Sequence, residues 1–433
     1  MYDPAKVDLA RVVAPPYDVI SPKDQLRYYE QDPHNVVRLI AGEVRATDSA
    51  EDNKYLRAAA FFNQWFAEGV LRQEPGPRLY LYRHDFVDPS SGEGKSRQGI
   101  LGVVELQPFG QGVLPHERTH ARAKADRLSL TRAVHANLSP IFSLYEDPNR
   151  EVAQTVPAAL REPPQWSIQT EGGDRHTVWS LTHETIFREL GGVLAASRLY
   201  VADGHHRYET ALNFRDKMRL EHPEAPPDAA FNFVLMLLVD VQDAGLLILP
   251  THRYVHDLEG FDAVAFLSKL AKRGHVTRQN DRAALLRAIQ EPVESHRIGL
   301  AYSNPSPSGG GQGGGLVYFT VDLPPRPTSD PASELDVSRL HRDILQGALG
   351  LTEAALEDER FVGYSRDLDA VLERVASGTA QAAFLLRPPA VSDVVAVASA
   401  GQVMPQKSTY FYPKPASGIV FNPLDPAIRI PAV

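Results

Sequence analysis

The sequence predicts a mixed α+β or α/β fold, with mixed sheets flanked by helices, and three observations support this class. Residues 231–241 are nearly all apolar, which is typical of a strand buried on both faces. Residues 78–106 hold two strand-like runs around a turn rich in Asp, Pro, Ser and Gly, which predicts a hairpin. Residues 199–217 pass from an apolar run through a tight turn into helical spacing.

Before the hairpin, strands and helices are predicted to alternate. Two prolines interrupt the apolar run 12–20, so this segment is predicted to be an edge strand or a loop. Ser21 and Pro22 suit an N-cap and a first helical turn, which predicts a helix over 22–31. A strand is predicted over 35–40. An amphipathic helix follows over 55–71, with one apolar face formed by Leu56, Ala59, Phe62, Phe66 and Val70.

After the hairpin, the same alternation continues. The predicted elements are a helix in two pieces ending at 135, strands over 141–145 and 177–181, and helices over 151–160 and 184–194. Residues 245–250 are predicted to return beside 231–241. Beyond them we predict helices over 261–272, 282–289, 333–349 and 391–400, and strands over 297–302, 316–321 and 379–386.

Two domains are predicted: an N-terminal site-bearing α/β domain over 1–255, and a C-terminal α+β domain over 256–433 whose tail packs back toward the site. The Ser-, Pro- and Gly-rich residues 303–315 indicate a flexible surface loop. They are not a phosphate cradle, because the Lys-Ser/Thr ending of a P-loop is missing.

Composition excludes several classes of function. The chain has 433 residues, a formal net charge of −9 and no cysteine. Without cysteine there are no disulfides, thiolate nucleophiles or cysteine metal ligands. The negative charge argues against a duplex nucleic-acid binder. No apolar run reaches the roughly 20 residues of a membrane helix, and the N-terminus lacks a signal-peptide core, so we expect a cytoplasmic protein without membrane contact.

The turn at Asp203 to Arg207 is the strongest candidate site. Gly204 permits a sharp turn or close approach to a ligand. The helix that follows presents unpaired N–H groups and a positive dipole end, next to His205, His206 and Arg207. This combination predicts an anion site, and phosphate is the expected anion. The alternative is an ordinary strand–turn–helix junction with solvated polar residues.

Four motifs carry a resemblance to a known family. They are VVAPPYDVIS near the start, LPHERT, ADGHHRYETAL, and VMPQKSTYFYPKP near the end, and together they span residues 12–415. The chain resembles the domain of unknown function 1015 family on all four. The DGHHR turn after a strand is also similar to the phosphate-binding turn of the ParB/sulfiredoxin superfamily. That superfamily includes nucleotide-binding partition proteins, an ATP-using reductase of oxidised cysteine and a free-serine kinase.

The second motif allows two chemical interpretations. His116-Glu117-Arg118-Thr119-His120 matches the HExxH pattern of zinc proteases. It follows a Gly-rich loop and a proline, however, and no third ligand stands at the metzincin spacing. We therefore expect no tightly bound zinc and keep a zinc hydrolase as a remote alternative. His116, Glu117 and Arg118 are predicted to be polar site residues, and they should converge with residues 203–207.

Two further segments supply candidate site residues. The rigid Pro-Pro segment is suited to holding Tyr17 and Asp18 in a site. The C-terminal motif is too rich in aromatic residues for a disposable tail. Its Lys407, Ser408 and Thr409 offer one cation and two hydroxyls, which predicts an anion clamp. The alternative is a docked tail with Lys407 in water.

The function that these residues predict is phosphoryl transfer to or from a small polar metabolite. Cations would stabilise the phosphoryl group, and a carboxylate would orient the nucleophile. Asp203, His205, His206 and Glu117 are the predicted catalytic residues. Mg²⁺ is expected only together with a nucleotide or phosphate ligand, with Asp203 as a ligand. The superfamily resemblance implies serine or phosphoserine as substrate. The alternative is a protein that senses nucleotides or phosphometabolites without turnover.

Overall fold

The structure is a computed structural model that describes residues 1–117, 121–303, 315–357 and 360–431. The chain forms two compact units. The first comprises Met1–Leu247 and Pro413–Val433, and the second comprises Ile248–Tyr412. The last part of the chain therefore belongs to the first unit. The domain boundary predicted after residue 255 stays a prediction, and the loop predicted over 303–315 lies almost wholly outside the described residues.

The strands of the described residues, in chain order, are β1 (Leu79–Val87), β2 (Gly94–Glu105), β3 (Val113–Leu114), β4 (Ala136–Asn137), β5 (Ile141–Tyr145), β6 (Trp166–Gln169), β7 (Arg175–Leu181), β8 (Leu199–Asp203), β9 (Phe233–Asp240), β10 (Leu247–Ile248), β11 (His252–Val255), β12 (His275–Gln279), β13 (His296–Ser303), β14 (Leu316–Leu323), β15 (Val362–Ser365), β16 (Ala382–Leu385), β17 (Phe411–Tyr412) and β18 (Asn422–Pro423).

The α-helices are α1 (Leu9–Val12), α2 (Pro22–Gln31), α3 (Val37–Ile40), α4 (Lys54–Ala67), α5 (Ala121–Val134), α6 (Glu151–Ala159), α7 (Glu184–Ala196), α8 (His205–Glu221), α9 (Ala263–Ala271), α10 (Arg282–Gln290), α11 (Asp336–Arg339), α12 (Glu353–Glu357), α13 (Leu368–Ala376) and α14 (Val391–Ser399). Short 3₁₀ helices cover Tyr17–Val19 and Ala230–Asn232, and a π-helix covers Leu340–Gln346.

An eight-stranded mixed sheet organises the first unit. Its order is β3-β8-β5-β9-β2-β1-β7-β6, with parallel pairing at β3–β8 and β5–β9 and antiparallel pairing elsewhere. Strand β9 is buried along nearly its whole length, as its apolar sequence predicts. Helices α6, α7 and α8 pack against the sheet, and their inner faces form a hydrophobic core with side chains of its strands. This core fixes the end of β8 and the start of α8, where the predicted site lies.

The second unit contains a six-stranded antiparallel sheet in the order β12-β14-β13-β16-β11-β15. Helices α10 and α13 bury Leu285, Ile289, Val371 and Val375 against one face of it. The predicted class, a mixed α+β fold with sheets flanked by helices, is confirmed. Among the described residues, no helix combines the length and apolar character needed to cross a bilayer.

Several predicted elements near the N-terminus were wrong. The strand predicted over 35–40 is absent: Val37–Ile40 form the helix α3, and the Asn35 side-chain oxygen accepts the backbone N–H of Val37 at its start. Residues 12–20, predicted to be an edge strand or a loop, contain the end of α1, an isolated bridge at Ala14 and a 3₁₀ helix over Tyr17–Val19, so that no continuous strand forms around the prolines. Helix α4 buries Ala58, Phe62 and Trp65, while Leu56 is 42% exposed.

Two further predictions were wrong. Residues 245–250 do not return beside β9, since the Leu249 N–H donates to the Tyr410 carbonyl. The helix predicted over 333–349 begins only at Asp336 and widens into the π-helix. By contrast, α2 has the predicted bounds, because Ser21 and Asp24 form a capping box around Pro22.

Candidate functional site

The predicted strand–turn–helix is present, and the candidate site lies at its turn. Strand β8 ends at Asp203, Gly204 adopts φ +100°, and the 17-residue helix α8 begins at His205. Such a φ is open to glycine at little cost, which explains why the chain can reverse here within one residue. The first turns of α8 are anchored to the unit by Tyr208, whose hydroxyl donates to the Gln107 carbonyl at 2.7 Å.

Four charged side chains meet beside this turn, and we call Asp18, Asp203, Arg207 and Lys414 the charge network. Oδ1 of Asp203 lies 2.5 Å from Nζ of Lys414, and its Oδ2 pairs with Nη2 of Arg207. Lys414 also pairs with Oδ2 of Asp18. Nη1 of Arg207 donates to the Pro140 carbonyl at 2.5 Å. Two carboxylates thus face two cations, and the network is formally neutral.

The electrostatics of the network keep Asp203 and Lys414 charged. Burial alone would raise the pKa of the Asp203 carboxyl, but Lys414 and Arg207 outweigh it and lower this pKa to about 2. Burial would lower the pKa of Lys414, but Asp203 and Asp18 outweigh it and raise this pKa above its ordinary value. Both groups are therefore charged at neutral pH.

Two neutral imidazoles lie next to the network. The rings of His116 and His205 are 4.7 Å apart and nearly perpendicular. Nδ1 of His116 lies 2.7 Å from the Val201 carbonyl and must donate, since a carbonyl only accepts. The His116 backbone N–H donates to Nε2 of His205 at 3.3 Å, so that Nε2 carries a lone pair. Burial lowers the pKa of His116 to about 4 and that of His205 well below its ordinary value.

The two ends of the chain deliver Lys414 and Asp18 to the network. Ala14 and Ser417 form an isolated antiparallel bridge, with the Ser417 N–H 2.8 Å from the Ala14 carbonyl. Continuing this antiparallel register brings the residues after Ala14 alongside those before Ser417. The first and last motifs of the sequence therefore meet at the site.

Arg97 in strand β2 fixes the C-terminal segment from the other side. Its guanidinium is 1% exposed, and Nη2 donates to the Pro413 carbonyl at 2.7 Å. The same guanidinium lies 4.6 Å from the ring centre of Phe142, the residue paired with Asp203 across β5 and β8. Arg97 thus connects the neighbour of Lys414 to the strand beside Asp203.

Tyr17 lies at the edge of the network. The Arg127 guanidinium stacks 3.8 Å from its ring centre, and burial raises the pKa of its hydroxyl. Arg127 is 8% exposed and binds Asp126 and the Ile40 carbonyl. This part of α5 is therefore a packed surface and not a solvated helix face.

The remaining predicted site residues are distributed as follows. Glu117 follows His116 directly and is half-buried, and His206 is half-buried at the start of α8. Arg118 lies outside the described residues, as does His120 of the HExxH pattern. Lys407 and Ser408 lie in the second unit, where the Lys407 carbonyl accepts from Arg253 at 2.9 Å and the Ser408 hydroxyl donates to the Pro405 carbonyl. The roles predicted for all these residues stay predictions.

The described residues do not fit a magnesium ion held by the protein. Mg²⁺ takes oxygen ligands, and Asp18 and Asp203 are the carboxylates that converge here. The Lys414 ammonium, however, already lies between them. Within the described ranges, no group of three or more His, Asp or Glu side chains could hold a metal ion. The expectation about zinc depends partly on His120 and stays a prediction.

Sequence reasoning missed Lys414 and Arg97. Lys414 stands between two prolines at the end of the fourth motif, and this rigid context could have marked it as a candidate site residue. Arg97 gave none, because an arginine in an alternating strand is ordinarily exposed.

Replacing Arg207 by lysine should destabilise the protein in the absence of any ligand. Two different nitrogens of the guanidinium bind Asp203 and the Pro140 carbonyl, and an ammonium cannot reproduce this fork. We expect a loss of about 1–2 kcal/mol in the free energy of unfolding, measured by urea denaturation. Arg188→Lys, in an exposed pair on α7, is the matched control and should change little. Unchanged stability in Arg207→Lys would contradict this assignment.

The buried histidines should make the protein acid-sensitive. Burial lowers the pKa of His116 to about 4, against about 6.5 in an unfolded chain. Below pH 6.5 the unfolded state therefore binds more protons, and stability falls as pH falls from 6.5 toward 4. For His116 alone we expect a loss of about 2 kcal/mol at pH 5. His116→Gln should flatten this dependence in urea denaturation at a series of pH values. A parallel curve for wild type and variant would refute the assignment.

Comparison with known proteins gives a family but no function. The family described as "protein of unknown function (DUF1015)" matches residues 1–308. Among curated proteins, none matches the sequence.

Three solved structures show a distant likeness. A conserved hypothetical protein from Pyrococcus furiosus is 12% identical, with a TM-score of 0.34 over 72% of this chain and 90% of its own. A free serine kinase in complex with AMP is 12% identical, with a TM-score of 0.35 over 72% and 86%. SbnI with a C-terminal truncation, from Staphylococcus aureus, is 11% identical, with a TM-score of 0.33 over 77% and 85%. Likeness of this degree does not establish a shared activity.

Proposed function

The chain belongs to the DUF1015 family, and from this premise we propose that it is a phosphoryl-transfer enzyme acting on a small polar metabolite. One observation carries the proposal. The N-terminus of the long helix α8 opens beside a partly buried, charge-balanced network and two neutral imidazoles. Helix N-termini favour phosphate through their N–H groups and dipole. Phosphoryl transfer mainly requires such positioning and charge stabilisation.

We assign the phosphate to the start of α8, near Gly204, His205 and His206. Arg207 and Asp203 are paired with each other, which holds the turn in the shape that presents its N–H groups. Neutral His205 accepts from His116 at Nε2, so its ring proton is on Nδ1 and can be donated to a phosphate without adding positive charge. The ring N–H of His116 is already donated to the Val201 carbonyl, so His116 holds His205 in this tautomer.

Glu117 is the carboxylate that we assign as the base. Glu117 directly follows His116, whose backbone N–H donates to Nε2 of His205 at the start of α8, and this position puts its carboxylate near the proposed phosphate. In the proposed step, a substrate hydroxyl oxygen forms a bond to phosphorus, and the bond from phosphorus to the leaving oxygen breaks. The hydroxyl proton passes to the Glu117 carboxylate.

The ligand can be identified by a thermal-shift panel. ATP, ADP, AMP, serine and phosphoserine are tested with and without Mg²⁺, and ³¹P NMR then follows transfer from ATP to serine. We expect a phosphorylated compound to raise the melting temperature and a new phosphate resonance to appear. Serine is the first acceptor to test because the DGHHR turn is similar to that of a superfamily containing a free-serine kinase.

Glu117→Gln separates binding from turnover. It should retain nucleotide binding and lose turnover by roughly 10²–10⁴-fold, the usual contribution of a general base. Glu93→Gln, in the exposed β1–β2 turn, is the matched control and should behave as wild type. If no phosphorylated compound binds, the proposal fails.

The second candidate function is binding of a nucleotide or phosphometabolite without turnover. It is favoured by the observation that Arg207 and Lys414 both pair with Asp203, so their charge is already balanced inside the protein. Ligand binding in the panel without any new phosphate resonance would support this candidate over the first.

A further inference from the structure

We infer that the Lys414 ammonium is the resident cation of this site and occupies the place that a divalent cation would take between Asp18 and Asp203. This role of Lys414 does not depend on whether a phosphoryl group is transferred at the site.

The two carboxylates provide the beginning of a metal site. Oδ2 of Asp18 and Oδ1 of Asp203 come from separate segments and converge on one point. Convergent carboxylate oxygens are the ligands that magnesium and manganese prefer. At this point the protein places an ammonium group, Nζ of Lys414, 2.5 Å from Oδ1 of Asp203.

Lys414 is held there by its backbone and is not a mobile surface lysine. Its side chain is 9% exposed, and prolines on both sides restrict the chain. On one side, the Pro413 carbonyl accepts from buried Arg97. On the other, Ser417 is fixed by its backbone bridge to Ala14, four residues before Asp18. The two prolines and these two backbone contacts thus fix the position of the Lys414 ammonium beside the two carboxylates.

The charge balance explains why the site between Asp18 and Asp203 should not bind a metal ion in the wild-type protein. With Lys414, the four members of the charge network sum to zero, and a further divalent cation would add uncompensated positive charge next to the largely buried Lys414 and Asp203. Without Lys414 the network would carry one net negative charge, and both carboxylate oxygens would be open. Removing the lysine should therefore create affinity for a divalent cation.

The test is a titration of the full chain with Mn²⁺, without any other ligand. Bound Mn²⁺ is measured by electron paramagnetic resonance. Wild-type protein should show no stoichiometric binding in the micromolar range. Lys414→Ala should bind one Mn²⁺ per chain, with affinity increased by roughly tenfold or more, and Mg²⁺ should raise its melting temperature. Lys414→Arg, which keeps the positive charge, should not gain affinity. Adding Asp203→Asn to Lys414→Ala should abolish the new site.

Two results would overturn the inference. One is tight Mn²⁺ binding by the wild type that Asp203→Asn removes, because the metal would then share the place of Lys414. The other is a folded Lys414→Ala protein, judged by circular dichroism, that gains no affinity. If this variant does not fold, Lys414→Gln replaces it, since glutamine keeps a polar side chain without the charge. The wild-type titration, compared with Asp203→Asn, tests the first result without any change at Lys414.

Discussion

Asp203→Ala should be among the most destabilising substitutions in this protein, with a loss of roughly 3–5 kcal/mol in the free energy of unfolding. The carboxylate is 14% exposed and pairs with Lys414 and Arg207, which are 9% and 14% exposed. Its removal leaves one buried ammonium and one buried guanidinium without their principal counter-charge. Urea denaturation monitored by circular dichroism measures the change.

Asp216→Asn is the control for this prediction. Asp216 lies on the same helix and pairs with Arg215, but its side chain is 61% exposed, so we expect a change below about 1 kcal/mol. The double variant Asp203→Ala with Lys414→Met should lose less than the sum of the two single variants, because each removes the partner that the other leaves uncompensated. Additive losses would show that the two side chains do not interact.

Gly204→Val should destabilise the protein by about 3 kcal/mol and abolish the ligand binding that we propose at the start of α8. Gly204 has φ +100°, which a β-branched residue adopts only under strain. A Cβ atom there would also lie 3.0 Å from Nη2 of Arg207, closer than ordinary packing allows. The side chain would therefore strain the turn and push Arg207 away from Asp203.

Gly192→Val provides the matched control. Gly192 lies in α7 at an ordinary helical φ, and a Cβ there would meet nothing within 4 Å. We expect a change within about 0.5 kcal/mol. Differential scanning calorimetry of both variants makes the comparison. A Gly204→Val protein as stable as Gly192→Val would mean that the turn does not require glycine.

Local sequence was enough to predict the elements that depend on interactions between neighbouring residues. The capping residues before α2 fixed its bounds, and the apolar run of β9 indicated a buried strand. The turn at Gly204 followed from an apolar run, a glycine and helical spacing. The prediction for residues 35–40 failed, because an apolar run of this length suits a strand or a helical turn equally, and here the Asn35 side chain accepts the Val37 N–H at the start of a helical turn.

By itself, the sequence determined the mixed α+β class, the family and the strand–turn–helix around Asp203. Only the tertiary structure decided the partners of that aspartate. Lys414 and Asp18 stand 396 positions apart, and no periodicity of the chain relates them. They meet because the final residues return to the first unit and pair with Ala14. The sequence placed Arg207 at a predicted anion site, and only the folded structure showed that its guanidinium pairs with Asp203 beside Lys414, because a charged residue's partners depend on which distant segments folding brings to it.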